Sequence, residues 1–188
     1  GDLPGYAPYI ETEFAQMEIP CYIDRTRGIV LNPMIEFIKS VLELYIRDFS
    51  YEAVFHYLRS GLADLTWEEV DRLENYCLQT GIRGYHAYSR LFTRKTPEME
   101  EDEEALAEIN SLRERLMAQV DMLHFRGEEQ TKCYVNGLYD FLVRNQVQQK
   151  LAVFQEEFEK AGELTRAKEY AQIYRLVMEL LDQIYALL

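Results

Sequence analysis

The punctuation of this chain constrains it most. Helix-start signals recur along the sequence, each followed by apolar residues at helical spacing, and most are closed by a glycine. Asn32-Pro33 places a capping side chain before a proline at the first helical position, where the missing N–H costs nothing. Ile35, Ile38, Leu42 and Tyr45 then predict one apolar stripe. Ser50 caps a shorter helix carrying Val54, Phe55 and Leu58, which Gly61 ends. Thr66-Trp67-Glu68-Glu69 is a capping box, in which the Thr66 hydroxyl serves the amide of Glu69 and Glu69 reaches back. Val70, Leu73 and Cys77 line that helix up to Gly81.

Thr96-Pro97 is the next start. The acids Glu98, Glu100, Glu101, Asp102, Glu103, Glu104 and Glu108 follow it, and negative charge suits the positive end of a helix macrodipole. Ile109, Leu112, Leu116, Val120 and Leu123 continue at threes and fours until Gly127. One long helix is expected from about Glu128 to Lys160, with Leu138, Leu142, Leu151, Phe154 and Phe158 facing inward. Past Gly162, a last helix aligns Leu164, Ala167, Ala171, Tyr174, Met178, Leu181 and Tyr185. Near the N-terminus, Tyr9, Ile10, Phe14 and Met17 read as a short helix. Pro20 interrupts it, and Cys21-Tyr22-Ile23 suits an extended segment. The expected fold is therefore all-α. It is a multi-helix domain with three long C-terminal helices packed as antiparallel neighbours and at most a short strand near the N-terminus.

Several classes of function are excluded or disfavoured. With 20 Lys+Arg against 33 Asp+Glu the formal charge is −13, which argues against a general nucleic-acid-coating surface. No phosphate loop, GxGxxG, HExxH or GxSxG motif occurs. His56, His86 and His124 share no ligand spacing, and Cys21, Cys77 and Cys133 form no CxxC pair. No apolar run is long enough to span a membrane, so no membrane partner is expected, and the unpaired thiols suit a cytoplasmic protein. The chain starts without an initiator Met and is expected to be a segment of a longer protein.

One stretch runs against the global charge. From Cys77 to Lys95 there is no acid, and Arg83, Arg90, Arg94 and Lys95 alternate with Tyr85, His86, Tyr88 and Phe92. Two readings stay open. Cations with aromatics can grip a nucleic-acid strand by phosphate pairing and base stacking, which makes Arg83, Tyr85, Tyr88, Arg90, Arg94 and Lys95 the candidate DNA or partner contacts. Alternatively, the aromatics are core and the cations pair with the acidic turn that follows. Most of the fourteen tyrosines are expected at core edges with the hydroxyl in water.

Three sequence blocks carry a family resemblance. Ile19-Pro20-Cys21-Tyr22-Ile23-Asp24 with Asn32-Pro33-Met34-Ile35-Glu36-Phe37-Ile38 resembles the point where the accessory domain leaves the second core domain of UvrD-like superfamily 1 helicases. Leu73-Glu74-Asn75-Tyr76-Cys77-Leu78 with Gly81-Ile82-Arg83-Gly84 resembles the AddB (RexB-type) subunit of bacterial AddAB helicase-nucleases, as does Tyr51-Glu52-Ala53-Val54-Phe55 through Ser60-Gly61-Leu62. The likeness covers roughly residues 1–94.

That resemblance implies a parent that pairs with an AddA-type helicase-nuclease subunit and processes DNA double-strand breaks for recombinational repair. ATP, Mg and an iron–sulfur cluster would belong to the parent outside this segment, which would carry no catalytic, cofactor or metal residues. Residues 1–31 would be a lead-in at the edge of a helicase core domain, and residues 32–188 a 2B-like accessory domain. Its role would be non-catalytic: shaping the DNA path and subunit contacts. In this reading Gly81 and Gly84 hold a tight turn, and Arg83 would either anchor it through a carboxylate such as Glu74, the favoured role, or reach DNA. The alternative is a stand-alone acidic helical protein-interaction module.

Overall fold

The computed structural model describes residues 3–19, 32–99, 104–123 and 131–188. Among these residues the chain is helical throughout, with no strand. The elements are α1 (Leu3–Gln16), α2 (Pro33–Ile46), α3 (Tyr51–Leu58), α4 (Trp67–Thr80), the single turn α5 (Tyr85–Tyr88), α6 (Ala105–Val120), α7 (Thr131–Arg144), α8 (Val147–Lys160) and α9 (Leu164–Leu187). Short 3-10 turns occur at Pro97–Met99 and Asp121–Leu123. The expected strand at Cys21–Ile23, the Gly127 break and the acids from Glu100 to Glu103 lie outside the described residues.

The caps form as their chemistry dictates. Met34 N–H donates to Asn32 Oδ1 at 3.0 Å, and Ala53 N–H donates to Ser50 Oγ at 3.3 Å. The reciprocal box at Thr66 is complete: Thr66 N–H donates to Glu69 Oε2 at 2.8 Å and Glu69 N–H to Thr66 Oγ1 at 3.3 Å. Gly81 closes α4 in the left-handed conformation at φ +71°, its N–H donating to the Cys77 carbonyl.

Two expectations are corrected. The inward face of α2 is Met34, Phe37, Ser40, Val41 and Leu44, one position round from the expected stripe; Leu42 is exposed and Ile35, Ile38 and Tyr45 are half-buried. The helix expected from Glu128 to Lys160 is two helices, separated at Asn145-Gln146. Gln146 sits left-handed at φ +51°, where a continuing helix needs a negative φ. The buried Asn145 holds the break by donating from Nδ2 to the carbonyls of Phe141 (2.8 Å) and Gln119 (3.2 Å).

The core has an aromatic centre. Phe37 of α2 stacks on Tyr57 of α3 at 5.2 Å and on Phe141 of α7 at 4.9 Å. Tyr76 stacks on Phe92 at 5.3 Å, and Tyr88 meets both Phe49 and Phe92 at 5.8 Å. On α6, Ile109, Leu112, Leu116 and Val120 are buried as their spacing predicts, and so is Leu123 in the following turn. α8 and α9 form a helical hairpin about Gly162, with Phe154 and Phe158 against Tyr170. On α9 the buried residues are Ala167, Ile173, Val177 and Leu181, while Leu164, Ala171 and Tyr185 from the expected stripe are exposed. α1 leaves Tyr6, Tyr9 and Phe14 exposed, and Met17 just beyond it is exposed as well.

Candidate nucleic-acid and partner interface

The acid-free stretch from Cys77 to Lys95 runs from the end of α4, through the Gly81–Gly84 turn and α5, to an extended strap ending at Thr96. Its turn is latched to the connection between α2 and α3. Gly84 N–H donates to the Phe49 carbonyl at 3.1 Å, and Tyr85 N–H donates to Asp48 Oδ1 at 3.1 Å. Gly84 has φ +86°, and a Cβ there would come within 3.4 Å of Asp48 Oδ2. Glycine is therefore favoured by its conformation, while the Asp48 contact would be an ordinary one.

The strap is fastened from beneath by side chains of α6. Asn110 accepts the Phe92 N–H at Oδ1 (2.8 Å) and donates from Nδ2 to the Phe92 carbonyl (3.0 Å), as a paired strand would. Arg113 is buried, donates to the Tyr88 carbonyl at 3.0 Å and lies over the Phe92 ring at 5.8 Å. These two polar anchors escape a purely apolar reading of α6. Their signal was the second row Leu106, Asn110, Arg113, Met117, which keeps helical spacing beside the apolar one.

This arrangement separates the candidate residues. Tyr88 is fully buried and its hydroxyl meets the Cys77 thiol at 3.3 Å, so its ring belongs to the core and offers no face for a base. Burial pushes the Cys77 thiol up to about 11 and the Tyr88 hydroxyl well above its ordinary value. Tyr85 is half-buried against Phe49, with its hydroxyl donating to Asp121 at 2.8 Å. Arg83, Arg90, Arg94 and Lys95 are exposed and form no ion pair among the described residues. Arg94 donates to the Thr80 carbonyl at 3.3 Å, where a cation meets the negative end of the α4 dipole. Glu74 is not the anchor for Arg83: it accepts from the Tyr51 hydroxyl (2.6 Å) and the Arg59 guanidinium.

From α2 to α5 the tyrosine hydroxyls are bonded to protein groups, whereas Tyr6, Tyr9, Tyr139 and Tyr185 are exposed. Tyr57 donates to Gln119 Oε1 at 2.9 Å, Tyr76 to the Arg94 carbonyl at 2.8 Å, and Tyr45 to the Val120 carbonyl. The Glu74 hydrogen bond raises the Tyr51 hydroxyl to about 12. No group of three or more His, Cys, Asp or Glu side chains able to hold a metal occurs among the described residues. No helix among them is long and apolar enough to cross a membrane.

The strap offers a cationic rim, with a shallow concavity between Leu91–Thr93 and α6, and similarity decides its context. No protein-family model matches the chain. It is 39% identical over 192 residues to the B subunit of the ATP-dependent helicase/deoxyribonuclease of Clostridium botulinum, covering 98% of this chain and 17% of that protein. The protein of the same name in Acetivibrio thermocellus is 39% identical over 97% of the chain, and that of Lachnoclostridium phytofermentans 35% over 100%. This chain belongs to that B-subunit family. It spans about one-sixth of the length of those curated relatives. The resemblance read from residues 1–94 thus extends across α6 to α9, where no single motif carries it.

Proposed function

We propose that this segment is the non-catalytic, 2B-like helical accessory domain of the B subunit of an ATP-dependent helicase/exonuclease. That complex would process DNA double-strand breaks for recombinational repair together with an AddA-type helicase-nuclease subunit. Its similarity to the helicase/deoxyribonuclease B subunits over 97–100% of its length carries the reading. Supporting it, the polar groups best placed for chemistry serve structure instead. Cys77 is buried against Tyr88, and Asn110, Arg113 and Asn145 are spent on backbone atoms. Similarity along the whole segment to parts of larger subunits favours this reading over a stand-alone acidic module.

In this role the cations Arg83, Arg90, Arg94 and Lys95 line part of the DNA path. Phosphate contacts need only exposed charge, so loss of Tyr88 as a stacking face does not disable them. The test reverses all four to Glu in the complete subunit, assembled with its partner. DNA affinity should fall, and the slope of log affinity against log salt should drop by about one for each lost phosphate contact. Co-purification with the partner should be unchanged. Unaltered affinity and slope would remove the segment from the DNA path.

A further inference from the structure

α9 carries more apolar surface than its own packing uses. Ile173, Val177 and Leu181 are buried against the rest of the chain. Beside them on the same helix, Leu176, Leu180, Ile184 and Leu187 recur at i, i+4, i+8 and i+11, and they are 39%, 52%, 36% and 87% exposed. A helix facing one core needs one apolar stripe; a second continuous row over about 17 Å of helix has the spacing of a seam for another helix.

We infer that this row is where the segment docks onto an apolar face of the remaining B-subunit polypeptide. The inference rests on the family reading above and names the surface by which the segment joins its parent. Two observations select the occupant. About five-sixths of each relative's length lies outside the aligned segment, so the parent offers ample covering surface. The row itself is close to neutral: Glu179 is paired with Arg175 at 2.7 Å and Lys132 lies over the Tyr185 ring, so an apolar covering face suits it. A second copy would bring another formal charge of −13 to the seam, which disfavours self-association.

The experiment places a photo-crosslinking amino acid at position 180 or 184 of the complete B subunit, with position 172 as the polar control. Crosslinks from 180 and 184 to peptides of the same polypeptide outside this segment, above the level at 172, support docking. Crosslinks to the partner subunit or a second copy, or none above the control, overturn it. Leu180→Glu gives an independent reading. In the 188-residue chain it should leave the melting temperature within about 2 °C, because the site is exposed. In the complete subunit it should speed proteolytic cleavage about tenfold. Equal destabilisation of both proteins, or of neither, overturns the inference. A subunit that docks the stripe yet tolerates reversal of the four cations keeps this inference and loses the DNA-path reading.

Discussion

The region from α2 to α6 and the α8–α9 hairpin solve the same problem in different ways. In the first, aromatic side chains fill the interior and their hydroxyls cross-link it. Tyr57 reaches Gln119, Tyr76 reaches Arg94 and Tyr85 reaches Asp121, each between separate elements. In the second, α8 buries only Val147 and Leu151, and α9 spreads four buried residues over 24 positions. The first region is over-determined by directional bonds. The second is held by apolar and aromatic packing along the hairpin and leaves further apolar surface exposed. Directional side-chain bonds are concentrated beneath the cationic strap, and α9 carries a row of exposed apolar side chains.

Substitutions can break this contrast. Tyr88→Ala should be the most damaging, costing roughly 4 kcal/mol, because it empties a fully buried aromatic site between Phe49 and Phe92. Phe158→Ala in the hairpin, at a half-buried ring, should cost clearly less by the same denaturant titration. Similar losses would erase the distinction between the regions. Gly84→Val should come next, at about 2 kcal/mol, because a β-branched residue at φ +86° is strained. Unchanged melting would mean that the latch between the two turns is dispensable.

Smaller effects sharpen the contrast. Gln146→Gly should stabilise the chain by about 0.5–1 kcal/mol, because a left-handed position no longer carries a Cβ. A loss of stability would show that the Gln146 side chain holds the α7–α8 break. The smallest effect is on pH dependence. A hydrogen bond from Arg115 holds the Glu69 carboxyl below its ordinary 4.5, helped by the Thr66 backbone N–H. Its folded value is depressed, so its contribution is present above pH 4.5 and lost as pH falls through the lowered value. Glu69→Gln should flatten that part of the acid melting profile, and an identical profile would assign the acid sensitivity elsewhere.

Much of this architecture could be read in the sequence because caps are local chemistry. Asn32, Ser50, Thr66 and Gly81 act through atoms a few residues away. Phase was harder to read. α2 is apolar over most of its circumference, so Ile35-Ile38-Leu42-Tyr45 and Met34-Phe37-Val41-Leu44 fit a helical period equally, and only the partner helices select the second. The break at Gln146 was hidden because neither a glycine nor a proline marks it; its cause is the tertiary bond from Asn145 to the Gln119 carbonyl. In the acid-free stretch, composition revealed the cations. It could not show which aromatics were already spoken for, because that depends on Asn110 and Arg113 arriving from a distant helix.

The connection between α2 and α3 has one more consequence. Asp48 and Phe49 are consecutive left-handed residues at φ +45° and +51°, and Phe49 is completely buried. A bulky residue holds such a conformation only when its surroundings over-determine it. The turn is therefore an outcome of core assembly rather than a seed for it. Because that same turn grips Gly84 and Tyr85, the surface address of Arg83 is written by the interior. A defect deep among α2, α3 and α4 would be felt outside as a misplaced charge.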